Sequence, residues 1–263
     1  FLILFIILAS LSTILSDYKF ESFWGNEGRF TGLFLLLVYG ISFYIISKLF
    51  RFKSWFLDIF LAASMLVCLF GITDFFQMNL LHFKDNISPK QYSIFTSTLG
   101  NINTYTAFVS LTIGVSSVLF ASEKKVWKCI WYYVSLMTAL FAIITGQSDN
   151  AYLALLALFG LLPLYMFRSW SGIKRYAVIL ASFFSVIQII DWISQAMSGR
   201  VLKIEGIFSV LVRFSGLAYI VIALWVLVGV LYLSKYILKK QGIEVGKWPS
   251  LIPLSWRTST KPG

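Results

Sequence analysis

Charged residues are scarce in this chain, and their scarcity excludes a water-soluble globular domain. Only 13% of the 263 residues are charged and 59% are hydrophobic, whereas soluble domains have about 25% and about 45–50%. A folded core cannot hide so much apolar surface from water. Long uncharged runs, such as residues 30–46 and 214–233, instead indicate a polytopic membrane protein.

The residues that carry metal, redox or nucleophilic chemistry are also rare. The chain has one histidine and two cysteines. His82 lies in a long loop, and neither Cys68 nor Cys129 belongs to a ligand or redox motif. Nucleotide-binding loops, zinc spacings and nucleophile elbows are missing. The sequence therefore predicts no metal site, no cofactor and no disulfide. It also starts at Phe1 without Met or a basic region, so we expect a cut N-terminus rather than a signal peptide.

Eight apolar segments are long enough to be considered as membrane spans. A transmembrane helix needs about 20 apolar residues to cross about 30 Å of hydrocarbon. The segments run over residues 1–15, 30–48, 55–73, 104–121, 129–146, 151–167, 176–196 and 213–234. We therefore predict an all-α polytopic fold with about eight transmembrane helices, in one multi-span domain over residues 1–240.

Positive charge is distributed unequally between the two sets of loops. One alternate set, together with the C-terminal tail, holds 15 of the 22 cations, and the other set holds 7. The richer set faces the cytoplasm by the positive-inside rule, which places both ends of the chain there. Residues 241–263 are expected to form a disordered cytoplasmic tail. The net charge of +11 is thereby explained by topology, and no nucleic-acid partner is predicted.

The outer loops carry most of the uncharged polar residues. Within one of them, apolar residues recur at helical spacing over 201–211. This spacing predicts a short helix that lies in the membrane interface.

Four polar groups lie near the outer ends of spans, where ionisable side chains often mark a functional path. They are Arg29; Asn101 and Asn103; Ser148, Asp149 and Asn150; and Gln188, Asp191 and Gln195. The last three residues share one helical face. A basic residue with amide donors at this depth would suit a phosphate-bearing lipid headgroup.

Each group also has a structural interpretation. Asn103, Asp149 and Asn150 are good helix N-caps, and Gly146 is a natural C-cap. Arg29 is long enough to reach the lipid headgroups from a span end. The face of Gln188, Asp191 and Gln195 is also typical of hydrogen bonding between membrane helices.

Three short motifs in order resemble the O-antigen ligase family, which includes the Wzy-type O-antigen polymerases. They are Trp24-Gly25 with Arg29-Phe30-Thr31-Gly32, then Leu99-Gly100-Asn101-Ile102-Asn103-Thr104-Tyr105-Thr106, then Gln147-Ser148-Asp149-Asn150-Ala151-Tyr152-Leu153. The resemblance covers nearly the whole chain but only the N-terminal part of a typical member. It implies a multi-pass protein of the bacterial cytoplasmic membrane that transfers a glycan from a polyprenyl pyrophosphate carrier. It also implies a metal-independent, inverting glycosyltransferase.

From that resemblance we expect Arg29, Asn101, Asn103, Asp149 and Asp191 to contribute to one outer-facing cavity for the carrier or its glycan. The catalytic residues are not identified, because the family's histidine-bearing outer loop and closing helices have no counterpart before Gly263. The turn also reads Ser148-Asp149 where many members have Ser-Arg.

Two alternatives stay open. A flippase for lipid-linked saccharides, or a small-molecule transporter, usually shows inverted repeats and interrupted helices. Here only Pro163 lies inside a predicted span and no repeat is visible. An inactive fragment would fit the missing Met and the unusual tail. The sugar, the acceptor, ligation as against polymerisation, and the oligomeric state are left open by the sequence.

Overall fold

The computed structural model describes residues 1–26, 31–85, 88 and 96–240, and for residues 235–240 it describes the backbone only. Every regular element within these residues is helical, which confirms the all-α prediction. Arg29 and the predicted tail over 241–263 lie outside the described residues.

Each of the eight predicted apolar segments forms a helix. The helices are α1 (Leu2–Ile14), α2 (Lys19–Trp24), α3 (Leu33–Leu49), α4 (Trp55–Phe75), α5 (Ile102–Ser122), α6 (Val126–Thr145), α7 (Asn150–Met166), α8 (Trp170–Ala196), α9 (Gly206–Val212) and α10 (Leu217–Lys240). The short helices α2 and α9 lie in predicted loops. A 3₁₀ turn, Ser97–Leu99, precedes α5.

Five of the described helices are long and apolar enough to cross a membrane. They are α4, α5, α6, α8 and, over Leu217–Ser234, α10. Helices α1, α3 and α7 are shorter, with 13, 17 and 17 residues. The fold is therefore that of a multi-pass membrane protein, with three apolar helices of less than full spanning length.

Local capping sets several helix boundaries. Helix α8 begins at Trp170, earlier than the predicted residue 176, because Ser169 Oγ accepts a hydrogen bond from Gly172 N at 3.0 Å. Helix α6 ends at Thr145, and Gly146 is its C-cap, as predicted. The N-cap of α5 is Asn101 rather than Asn103, since Asn101 Oδ1 accepts from the backbone N–H groups of Asn103 and Thr104 at 2.9 and 3.1 Å.

The chain divides into two compact units, one made of residues 1–56 and one that begins at Leu57. In the first unit, α1 packs against α3 and α2 packs against both. The ring of Trp24 lies against Phe23 and Phe34, with centroid distances of 4.9 and 5.2 Å. Aromatic packing thus fixes α2 beside the start of α3.

In the second unit, α5 packs against α6, α7 and α8, while α10 packs against α8. Tyr105, Leu140 and Ile187 are fully buried in the core that these helices share. Helix α10 leaves Tyr219, Trp225 and many aliphatic side chains exposed. Such an apolar surface is unfavourable in water and suits contact with lipid.

The turn between α5 and α6 is held by one carboxylate. Glu123 Oε1 accepts hydrogen bonds from Lys124 N and Lys125 N at 2.8 and 2.9 Å. These two bonds favour the charged form and hold the pKa of Glu123 below its ordinary value.

Candidate functional site

The start of α5 and the turn between α6 and α7 are joined by one amide. Asn103 Oδ1 accepts from Ser148 Oγ at 2.9 Å and from Asn150 Nδ2 at 3.2 Å. Asn101 lies beside it as the N-cap of α5. Two of the four polar groups singled out in the sequence therefore form one hydrogen-bonded network.

A cavity of ≈580 Å³ lies next to this network and is called here the turn cavity. It is lined by the end of α4, the α6–α7 turn and residues 202–206, including Asp74, Lys84, Gln147, Asp149, Tyr152, Lys203 and Glu205. Asn101 and Asn103 are not part of its lining. Both side chains instead order the start of α5. This is a structural role and not a ligand-binding one.

Asp149 faces the turn cavity at the N-cap position of α7. Its side chain makes no capping hydrogen bond, although capping was one of its expected roles. Within the described residues it has no ion-pair partner either. Arg29, whose charge would suit this carboxylate, lies outside those residues.

Asp74 and Lys84 form an ion pair that sequence reasoning missed. Their Oδ1 and Nζ atoms are 2.8 Å apart, and their side chains are only 10% and 15% exposed. Asp74 Oδ2 also accepts from Ser97 N at 2.7 Å. The available signal was an aspartate in the last turn of a long, mostly apolar helix, since such a group is costly unless it has a partner.

Residues 201–206 form one wall of the turn cavity. Leu202 N donates to Phe75 O at 2.8 Å, Glu205 N to Gln147 Oε1 at 3.2 Å, and Ile207 N to Tyr152 Oη at 3.0 Å. Together these bonds tie the segment to α4, to the α6–α7 turn and to α7.

The helix predicted over 201–211 is wrong in its bounds. The helix is α9, which begins only at Gly206, where φ is +66° and favours glycine. A Cβ at that position would lie 2.5 Å from Tyr152 Oη. Val201, Ile204 and Phe208 are buried in the protein core. Their spacing therefore reflects packing against α7 and α8.

A second cavity, of ≈990 Å³, lies between the end of α8, α9 and the start of α10, and is called here the α8 cavity. Gln188, Asp191 and Gln195 line it, as do Lys203 and Arg213. Asp191 accepts from Gln188 Nε2 at 3.2 Å and from Gln195 Nε2 at 2.8 Å. The predicted polar face of α8 is thus a preformed carboxylate–amide array at a cavity wall.

The α8 cavity also holds polar groups without protein partners. Ser194 Oγ is buried and makes no hydrogen bond to any described residue. The side chains of Lys203 and Arg213 are exposed and form no ion pair with any residue that the structure describes. Unsatisfied donors of this kind are available to a ligand.

The single cavity expected from the sequence is therefore two neighbouring cavities. Asp149 lines the turn cavity and Asp191 lines the α8 cavity, while Leu202 and Lys203 line both. His82 lies in neither lining; it is exposed and pairs with Asp85 at 3.0 Å. The described part of the chain brings together no group of three or more His, Cys, Asp or Glu side chains able to hold a metal ion.

Comparison with known protein families, with characterised proteins and with solved structures finds no match to this chain.

Proposed function

We propose that this chain acts on polyprenyl-pyrophosphate-linked glycans at the outer face of the bacterial cytoplasmic membrane, as a glycosyltransferase of the O-antigen ligase and polymerase type. The ordered motifs around Arg29, Asn103 and Asp149 support the family. The observation that carries the proposal is the turn cavity at the helix ends, because it places Lys203 and two carboxylates, Asp149 and Glu205, around one space of ≈580 Å³.

That set of charges suits glycan transfer from a pyrophosphate. The acceptor oxygen bonds to the anomeric carbon, the bond from that carbon to the pyrophosphate oxygen breaks, and the acceptor proton leaves to a base. Cations stabilise the departing pyrophosphate, and a carboxylate receives the proton. We assign the first role to Lys203 and the binding of the acceptor hydroxyl to Asp149. The sequence motif alone proposes Arg29 as a further ligand of the pyrophosphate.

The proposal includes eight membrane crossings with both ends in the cytoplasm. The turns between α5, α6, α7 and α8 have only three or four residues, so consecutive helices run antiparallel. Helix α7 packs against both α5 and α8, which supports a crossing of the same layer despite its 17 residues. The division of cations, 15 against 7, supports the orientation.

Cysteine labelling tests the topology. Single cysteines replace Met78 and Lys125 in a chain whose native Cys68 and Cys129 are changed to serine. An impermeant thiol reagent added outside should label position 78 and not position 125. Labelling at both positions, or at 125 alone, would overturn the orientation.

A reconstituted transfer assay tests the chemistry. The full chain in proteoliposomes receives a polyprenyl-pyrophosphate oligosaccharide together with candidate acceptors, and released polyprenyl pyrophosphate and extended glycan are measured. Arg29→Ala and Lys203→Ala should lower transfer at least tenfold. Arg200→Ala removes an exposed cation from the same side that lines neither cavity, and it should retain transfer.

Movement of the intact donor across the bilayer, without its cleavage, would overturn the transferase proposal and establish a flippase. Neither cleavage nor movement at native abundance would identify an inactive fragment.

A further inference from the structure

The α8 cavity has a built recognition surface, of which the proposed transfer chemistry uses only Lys203. One side carries the Asp191 carboxylate, held by Gln188 and Gln195. Further polar contributors include two cations, Lys203 and Arg213, and the unpartnered hydroxyl of Ser194. The cavity of ≈990 Å³ is at the upper end of the range of about 300–1,000 Å³ for small-molecule sites.

The carboxylate–amide array is suited to binding hydroxyl groups. Each Asp191 oxygen accepts one hydrogen bond within the described residues, while a carboxylate has about four lone-pair sites. Acceptor capacity therefore remains for ligand O–H groups. The amides of Gln188 and Gln195 each have a second donor and a carbonyl oxygen.

The two cations would bind a different part of the ligand, one that carries negative charge. Arg213 and Lys203 form no ion pair with Asp191 or with any other described residue. Their charges are open to an anion, and the guanidinium of Arg213 offers paired donors that match a carboxylate or a phosphate. Asp191 in the same cavity repels a simple inorganic anion, so the ligand must present hydroxyl groups to one side and negative charge to the other.

We propose that the α8 cavity binds an anionic saccharide, a sugar that carries a carboxylate or a phosphate. Asp191 and its glutamines contact the sugar hydroxyls, and Arg213 and Lys203 contact the acidic group. The choice of a saccharide over another anionic polyol rests on the proposed function. The proposal extends that function by naming the chemistry of the glycan.

Direct binding tests this without any transfer step. Purified full chain in nanodiscs is titrated calorimetrically with four probes: a uronic-acid disaccharide, a neutral disaccharide of equal size, a sugar phosphate and inorganic phosphate. At least one of the two acidic sugars should bind tenfold or more tightly than both the neutral disaccharide and inorganic phosphate. The acidic sugar that binds identifies the charged group, and rising salt should weaken its binding.

Three variants separate the two halves of the site. Arg213→Gln should weaken binding of the acidic sugar about tenfold without changing the affinity for the neutral disaccharide. Asp191→Asn should weaken both sugars. Arg200→Gln, in the same loop region but outside the cavity lining, should leave both affinities unchanged.

Equal affinity for charged and neutral sugars would overturn the proposal, and so would phosphate binding as tight as that of the sugars. An equal loss of affinity in Arg200→Gln and Arg213→Gln would also overturn it. Since the Arg213 side chain is exposed and makes no hydrogen bond or ion pair to a described residue, its variant should fold normally, which size-exclusion chromatography checks.

The two proposals fail differently. Transfer of a neutral glycan by a chain that binds no acidic sugar would leave the transferase standing and remove this inference. If the chain binds an acidic sugar through Arg213 but has no transfer activity, this inference stands and the transferase proposal is removed.

Discussion

The close contact between Gly71 and Tyr105 gives a sharp test of the packing beside the turn cavity. A Cβ added at Gly71 would lie 2.2 Å from Tyr105 Oη and 2.4 Å from Tyr105 Cζ, whereas nonbonded carbon contacts are about 3.5 Å or longer. Tyr105 is 0% exposed. On the side of Gly146 its ring is also close, since a Cβ there would lie 3.2 Å from Tyr105 Cε1. The ring therefore has little space to move away.

We expect Gly71→Ala to lower the free energy of unfolding by about 1–3 kcal/mol, the usual cost of overpacking a core. Alanine's helix propensity offsets at most about 1 kcal/mol of this. Gly114→Ala is the matched control, because nothing lies within 4 Å of the added Cβ. It should be neutral or slightly stabilising.

A double-mutant cycle identifies the cause. Tyr105→Phe removes the atom nearest to the new Cβ, and its hydrogen bond to Cys68 O is long, 3.5 Å. It should cost little alone and recover at least about 0.5 kcal/mol of the Gly71→Ala loss. Unfolding is followed in detergent by titration with a denaturing detergent. If Gly71→Ala is as stable as the parent, or if Tyr105→Phe leaves its loss unchanged, the packing argument is refuted.

Three further predictions use the same stability measurement. Asn103→Ala should cost about 1 kcal/mol, because it leaves the buried Ser148 hydroxyl without its acceptor, while Asn103→Asp keeps an acceptor oxygen and should recover most of the loss; equal losses in both would contradict the network. Asn101→Ala should cost about 0.5–2 kcal/mol through the lost N-cap, and Asn101→Ser should stay near the parent. The lowered pKa of Glu123 means that its contribution is complete above the pKa of the unfolded chain and is lost as pH falls through the lower folded pKa; Glu123→Gln should remove this acid-side dependence, and an unchanged pH profile would show that the turn bonds contribute nothing.

The helices could be predicted because helix formation in a membrane depends on a property that each segment carries itself. Uninterrupted apolar runs and the scarcity of charge located α3 to α8 and α10 without knowledge of their neighbours. The boundaries were less accurate where a side chain decides them. Trp170 to Arg175 were assigned to a loop because of their cations, yet Ser169 caps a helix that includes them. Lys174 is buried in that helix and lies 4.4 Å from the centre of the Tyr232 ring.

The site was predictable only where it is made of residues at helix ends. Asn103 and the turn at Ser148–Asn150 were expected at one membrane depth, and they are hydrogen-bonded. The ion pair of Asp74 with Lys84 depends on the path of the loop that follows α4. The spacing of residues in the sequence does not predict that path. The same holds for residues 201–206, where helical spacing of apolar residues reflects an irregular segment packed into the core.

The division into two cavities follows from how that irregular segment is held. Its three anchors are backbone N–H groups, and between them Ile204 is buried in the core whereas Lys203 is exposed. The side chain of Lys203 therefore has no structural role in this segment, and it lines both cavities. A ligand that pulls Lys203 towards one cavity withdraws positive charge from the other. Occupancy of the α8 cavity should accordingly weaken the hold of Lys203 on a pyrophosphate in the turn cavity. In a chain with Lys203→Ala, this dependence of one site on the other should vanish, whereas Arg213→Gln should reduce only the occupancy of the α8 cavity.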